Sequence, residues 1–169
     1  TSEALFLNSG FTYSSAQEAE DSFTDETDHF VYSRFGNPTV AMFQDRLAAL
    51  EGGESCIATS SGMSAIMTVA MSHLQAGDHV ICSRSVFGAT IQLFNTILSK
   101  FGIETTYVDM ANLDSWKAAV KPNTKLFYLE TPSNPLTEVG DIAAIAKIAK
   151  AANALYVVDN CFCTPALQK

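Results

Sequence analysis

The chain has 169 residues, 47% hydrophobic and 17% charged, enough to bury the core of one soluble globular domain. A net charge of −8 and a pI near 4.7 would repel a nucleic-acid backbone or an anionic membrane surface. The four cysteines (Cys56, Cys82, Cys161, Cys163) form no C-x-x-C, and His29, His73 and His79 show no ligand spacing, so no metal site is read.

The cysteines read as small buried hydrophobes in a reducing compartment, which implies a cytoplasmic protein. No basic segment followed by an apolar one opens the chain, so no secretion signal is read. Thr1 is not an initiator methionine, and the native start is expected upstream. The uncharged stretch 55–77 carries Ser60, Ser61, Ser64, Ser72, His73 and Gln75, too polar to span lipid.

Residues 1–36 read as an arm, and 37–169 as the start of a larger domain. Glu18, Glu20, Asp21, Asp25, Glu26 and Asp28 form an acidic run without a base, expected to be a solvated loop. Asn37-Pro38 is an N-cap followed by proline at the first helical position, and Gly52-Gly53 ends that helix. Val40, Phe43, Leu47 and Leu50 recur along it at helical spacing. A short strand is expected over 56–59. Met63, Ile66, Met67, Ala70, Met71 and Leu74 then form a core stripe on the next helix. Strands follow at 79–83, 104–109, 125–130 and 154–158, separated by helices at 87–101, 113–120 and after Asp141. This alternation predicts an α/β fold: a mostly parallel sheet covered by helices on both faces, with ligands beyond the carboxyl ends of its strands.

Four segments could carry chemistry, and each has an ordinary structural reading beside the functional one. Ser60-Ser61-Gly62-Met63 is a small-residue turn into a helix, where free backbone N–H groups suit a phosphate, although most such junctions bind nothing. Tyr32-Ser33-Arg34, read as extended, places a phenol and a guanidinium on one side, for an anion or for a surface salt bridge. Asp159 ends an apolar strand, as a turn former or as a partner for a pyridine nitrogen. Glu130-Thr131-Pro132-Ser133-Asn134-Pro135 is a loop set by two prolines, either a rigid connector or a support for Asn134. At least one of the two X–Pro bonds is expected to be cis, with Asn134 facing the same cleft as Gly62 and Asp159.

Taken together these segments resemble the Cys/Met-metabolism family of pyridoxal-phosphate (PLP) enzymes. The runs that carry the resemblance are Tyr32-Ser33-Arg34 with Asn37-Pro38-Thr39, Ser61-Gly62-Met63, Glu130 to Pro135, and Val158-Asp159-Asn160. Residues 1–11 and Val86-Phe87-Gly88 are most similar to the O-succinylhomoserine sulfhydrylase branch. The resemblance implies the fold-type-I large domain, truncated, with pyridoxal 5'-phosphate as cofactor. It assigns the phosphate to the N–H groups of Gly62 and Met63. Phe87 would stack on the ring, Asn134 would bond near the ring hydroxyl, and Asp159 would pair with the ring nitrogen. Tyr32 and Arg34 would reach the cofactor of a neighbouring subunit in a dimer of dimers. Neither nucleic acid nor membrane is implied as a partner.

The implied reaction is γ-replacement, converting O-succinylhomoserine and sulfide to homocysteine. Cystathionine γ-synthase or γ-lyase chemistry is the alternative within the family, and a non-catalytic phosphate-binding α/β module the alternative outside it. The family's cofactor-anchoring lysine follows a later strand. It is therefore expected beyond Lys169, no catalytic residue is assigned here, and the chain alone is expected to be inactive. Two departures stand out: Phe87 replaces a tyrosine common in the family, and Cys161 and Cys163 occupy positions more often threonine or alanine.

Overall fold

A computed structural model describes residues 2–169, which divide into two units, 2–58 and 59–169. The boundary falls after the helix that begins at Pro38, so this helix groups with the arm.

In the first unit, helix α1 spans Ala16–Phe23 and helix α2 spans Pro38–Glu51. The acidic run is therefore partly helical, not simply a loop. Ser15 caps α1 by accepting the Glu18 N–H, and Glu18 in turn accepts the Ser14 N–H at 2.6 Å, a local cap that outweighs the repulsion among exposed acids. Asn37 caps α2 through the Thr39 N–H, and Gly52 closes it at φ 69°, a left-handed conformation that glycine adopts without strain. Val40, Phe43 and Leu50 are exposed on α2. The segment around Phe6 lies along the start of α2, with Phe6 N–H donating to Thr39 Oγ1 and Asn37 Nδ2 donating to Phe6 O. The expected strand over 56–59 does not form. It pairs with no strand among the described residues, and the Ala58 N–H goes to the Gln44 side chain at 2.8 Å.

The second unit opens with α3, Gly62–His73, followed by β1, His79–Ser83. One helical run then covers 88–101: α4 (Gly88–Gln92), a π-helical turn (Leu93–Ile97) and a 3₁₀ turn (Leu98–Phe101). After it come β2 (Glu104–Val108), α5 (Leu113–Ala118), β3 (Thr124–Glu130), α6 (Ile142–Ala151), β4 (Leu155–Asp159) and a short α7 (Thr164–Leu167) that the sequence pattern did not predict. The strands are all parallel in the order β2-β1-β3-β4.

Alternation along the strands divides the core. Val80, Cys82, Leu126 and Tyr128 face one cluster with Ala70, Leu74, Phe94 and Leu98 from α3 and the long helical run. Ile81, Phe127 and Leu129 face the other, with Trp116 of α5 and Ile145 of α6. Trp116 stacks on Phe127 at 5.9 Å and donates its indole N–H to Met110 O, so truncating it to alanine would cost about 3–5 kcal/mol. Met71 departs from its expected core stripe and is exposed. The cysteines are free, but the expected burial holds only for Cys82: Cys56 and Cys163 are half-buried and Cys161 is exposed.

His79 is fully buried at the amino end of β1, Nδ1 lying 2.8 Å from Thr124 Oγ1 and Nε2 2.8 Å from Thr106 Oγ1. Burial, and then the Lys121 charge, hold its imidazole below the usual range, with Glu104 opposing part of the shift. A folded pKa below the unfolded one means that the unfolded chain binds the proton first. The contribution is therefore present above about pH 6.5 and is lost as pH falls toward the folded value. Urea midpoints followed by Trp116 emission are expected to decline as the pH is lowered below about 6.5, and His79→Gln to flatten that decline. Parallel curves for the two proteins would contradict this role.

Candidate functional site

A cavity of about 590 Å³ opens at the carboxyl ends of β3 and β4, a volume suited to a small ligand. Its wall brings together Gly62, Met63, Phe87, Asn134 and Asp159, five of the seven residues singled out from the sequence. They arrive from four different pieces of local structure in the second unit.

Gly62 and Met63 are the first two residues of α3. Ser61 caps this helix by accepting the Ser64 N–H at 3.1 Å, and Ser64 Oγ accepts the Ser61 N–H at 2.9 Å. The capping box is thus closed through Ser64, and the N–H groups of Gly62 and Met63 have no intrahelical acceptor. A Cβ built on Gly62 would meet nothing within 4 Å, so space lies open beside these donors. Free N–H groups and the positive end of a twelve-residue helix favour an anion.

Asp159 ends β4. Its Oδ2 accepts the Tyr128 hydroxyl at 3.1 Å and its Oδ1 accepts the Cys161 N–H at 3.1 Å. Burial first, then the Asp159 charge, push the Tyr128 phenol far above its usual range. The same two causes push the Cys161 thiol up to about 11, which leaves it protonated at neutral pH despite its exposure.

Asn134 lies in the loop after β3, where Thr131-Pro132 and Asn134-Pro135 are both cis. Side chains and backbone lace this loop to its surroundings. Thr131 N–H donates to Asp159 O at 3.2 Å, Ser133 N–H to Glu138 O at 2.9 Å, and Gly140 N–H to Thr131 Oγ1 at 2.9 Å. Phe87 stands at the start of α4, half exposed at the cavity, and its N–H donates to Glu130 Oε2 at 2.6 Å.

Tyr32 and Arg34 belong to the first unit. Tyr32 is extended, in an isolated antiparallel bridge with Gly10, but 33–35 turn, and the N–H groups of Phe35 and Gly36 both return to Tyr32 O. The two side chains still meet: the Arg34 guanidinium lies 4.9 Å from the centre of the Tyr32 ring and 5.3 Å from that of Phe35.

Tyr128, Glu130 and Thr90 also line the cavity, although the sequence reading gave them no role. Strand alternation carries the missing signal, since Tyr128, two residues before Glu130, shares its face of β3.

The family described as Cys/Met metabolism PLP-dependent enzyme matches residues 1–169. An O-succinylhomoserine sulfhydrylase of Pseudomonas aeruginosa is 55% identical over 167 residues, 99% of this chain and 41% of that protein. An L-methionine gamma-lyase of Fusobacterium nucleatum is 43% identical over 166 residues, covering 98% of this chain and 42% of that protein. The crystal structure of a cystathionine gamma-lyase from Lactobacillus plantarum, in complex with L-serine, superposes with a TM-score of 0.85 at 40% identity, over 96% of this chain and 40% of that one. The chain thus spans about two fifths of the length of the relatives it matches. It belongs to the PLP-dependent enzymes of cysteine and methionine metabolism.

Proposed function

We propose that this chain supplies the cofactor grip of an enzyme that converts O-succinylhomoserine and sulfide to homocysteine and succinate. The observation that carries the reading is the convergence of a free helix N-terminus, an aromatic ring, an amide and a carboxylate on one cavity.

The residues present fit PLP. The open space at Gly62 and the free N–H groups of Gly62 and Met63 suit its phosphate. Thr90 Oγ1 is buried on the same wall with no partner among the described residues, a polar atom that a polar ligand can satisfy. Asp159, anchored by Tyr128 and the Cys161 N–H, presents the carboxylate that a protonated pyridine nitrogen needs. When bound, PLP supplies the electron sink for charge that develops at the substrate's α carbon.

This chain's own groups then bind and orient. Gly62 and Met63 hold the phosphate, Asn134 donates its amide near the ring hydroxyl, and Phe87 covers one ring face and keeps water from it. Asp159 holds the proton at the ring nitrogen. Tyr32 and Arg34, already paired by the cation–π contact, reach the phosphate of a partner subunit's site. Among the described residues no lysine lines the cavity, and none is assigned here as the cofactor's anchor. The 55% identity to a sulfhydrylase supports replacement by sulfide. The 43% identity to a methionine γ-lyase supports elimination as the second reading, against which Phe87 offers no phenol to move a proton.

The intact protein, supplied with PLP and O-succinylhomoserine, is expected to release homocysteine faster with sulfide than cystathionine with cysteine. The reverse order would favour the cystathionine γ-synthase alternative, and 2-oxobutanoate with ammonia as the main products would favour elimination. Asp159→Asn should keep the fold and lower turnover by about a hundredfold or more, and near-normal turnover would remove Asp159 from the site. The same variant should speed alkylation of Cys161, read by peptide mass mapping, because a neighbouring negative charge is gone. Gly62→Ala should leave the melting temperature nearly unchanged, as its Cβ meets nothing, while weakening PLP binding about tenfold. Unchanged PLP affinity would place the phosphate elsewhere.

A further inference from the structure

Glu130 ends β3 in register with Asp159 at the end of β4. Residues in register on parallel strands project to the same face, with Cα atoms about 4.8 Å apart, so two carboxyls stand side by side on the cavity wall. Their surroundings differ. Asp159 receives a donor on each oxygen. Glu130 is 1% exposed and receives one donor, the Phe87 N–H on Oε2, while its buried Oε1 has no partner among the described residues. Among the described residues no Lys, Arg or His lines the cavity beside the two carboxyls. Ionisation is least favourable for the carboxyl with the bare buried oxygen, and an adjacent pair of this kind shares one proton.

The second observation is at Phe87. It stands at the N-cap of α4 and has no side chain able to cap, so the start of the helix lacks the local Ser, Thr, Asp or Asn that usually holds it. Glu130 supplies that acceptor from 43 residues away.

We propose that Glu130 is a positioning residue acting as a neutral carboxylic acid: Oε2 tethers Phe87 at the cavity, and the proton on Oε1 leaves Asp159 as the single negative charge of the pair. The inference rests on the reading of the cavity as a PLP site, since Phe87 is the ring's cover. The groups that face Glu130 are Asp159 and Cys161 at the end of β4, Tyr128 on its own strand, Cys82 on β1 and the Phe87 N–H. Burial pushes its carboxyl above the usual range, the Phe87 N–H opposes this, and the Asp159 charge adds to it. A second carboxylate beside Asp159 would compete for the proton on the cofactor's ring nitrogen. A neutral Glu130 avoids this and still anchors the aromatic residue.

Two measurements on the intact protein test the proposal. In infrared difference spectra at neutral pH, Glu130→Gln should remove the C=O stretch of a protonated carboxyl; loss of an ionised carboxylate band instead would overturn it. In PLP titrations read by visible absorption and induced circular dichroism, Glu130→Ala should weaken binding about tenfold and diminish the dichroism. Glu130→Gln, which keeps the acceptor and places a donor where the proton was, should bind within about twofold of the parent. A Gln variant as weak as the Ala variant would overturn the tether. If Glu130→Ala does not fold, the Gln variant and the infrared band still decide. A parent protein that takes up no PLP would defeat the cofactor reading, while the infrared result would judge Glu130 independently.

Discussion

Hydrogen bonding between β3 and β4 sets Leu126 to Glu130 beside Leu155 to Asp159, and the chemistry of the cavity follows from that register. A shift of one residue would turn Asp159 to the opposite face, away from Tyr128 and from α3. Parallel pairing requires a crossover between neighbouring strands, and both faces of the sheet are consequently buried under helices. The loops that leave the carboxyl ends of the strands then gather at one edge. In this chain those exits lead to Phe87 after β1, Asn134 after β3 and Cys161 after β4.

The cavity is polarised along its length by backbone as much as by side chains. At one end the amino terminus of α3 offers free N–H groups and no charged residue. At the other, Asp159 is oriented by a phenol and a backbone amide. A molecule with an anionic group at one end and a protonated nitrogen at the other matches that gradient, and PLP is such a molecule. The tyrosine donor has a second consequence. Its proton is held firmly by burial and by Asp159, so Tyr128 serves as a fixed dipole and not as an acid.

The parts legible in the sequence were those governed by local rules. Asn37-Pro38 and Gly52 marked both ends of α2, β1 was read to the residue at 79–83, and Ser61-Gly62 marked a helix start with open donors. Local rules also explain where reading failed. The run at 56–59 has strand composition, but a strand needs a partner, and composition does not supply one. The acidic segment became helical at Ser15 because a single cap was enough. After the Tyr32 bridge to Gly10 the chain turned at 33–35 where it was expected to stay extended, because Phe35 and Gly36 share the Tyr32 carbonyl. Glu130 and Tyr128 escaped notice as site residues because their partners, Phe87 and Asp159, lie 43 and 31 residues away and meet them only across the folded sheet.

The central claim is that this cavity holds PLP with its phosphate at α3 and its ring nitrogen at Asp159. A crystal structure of the intact protein grown with PLP tests it most directly. The expected result is phosphate density within hydrogen-bond distance of the Gly62 and Met63 N–H groups, with the ring beneath Phe87 and its nitrogen on the Asp159 carboxylate. Phosphate density at another helix end, or a ring nitrogen turned away from Asp159, would contradict the account.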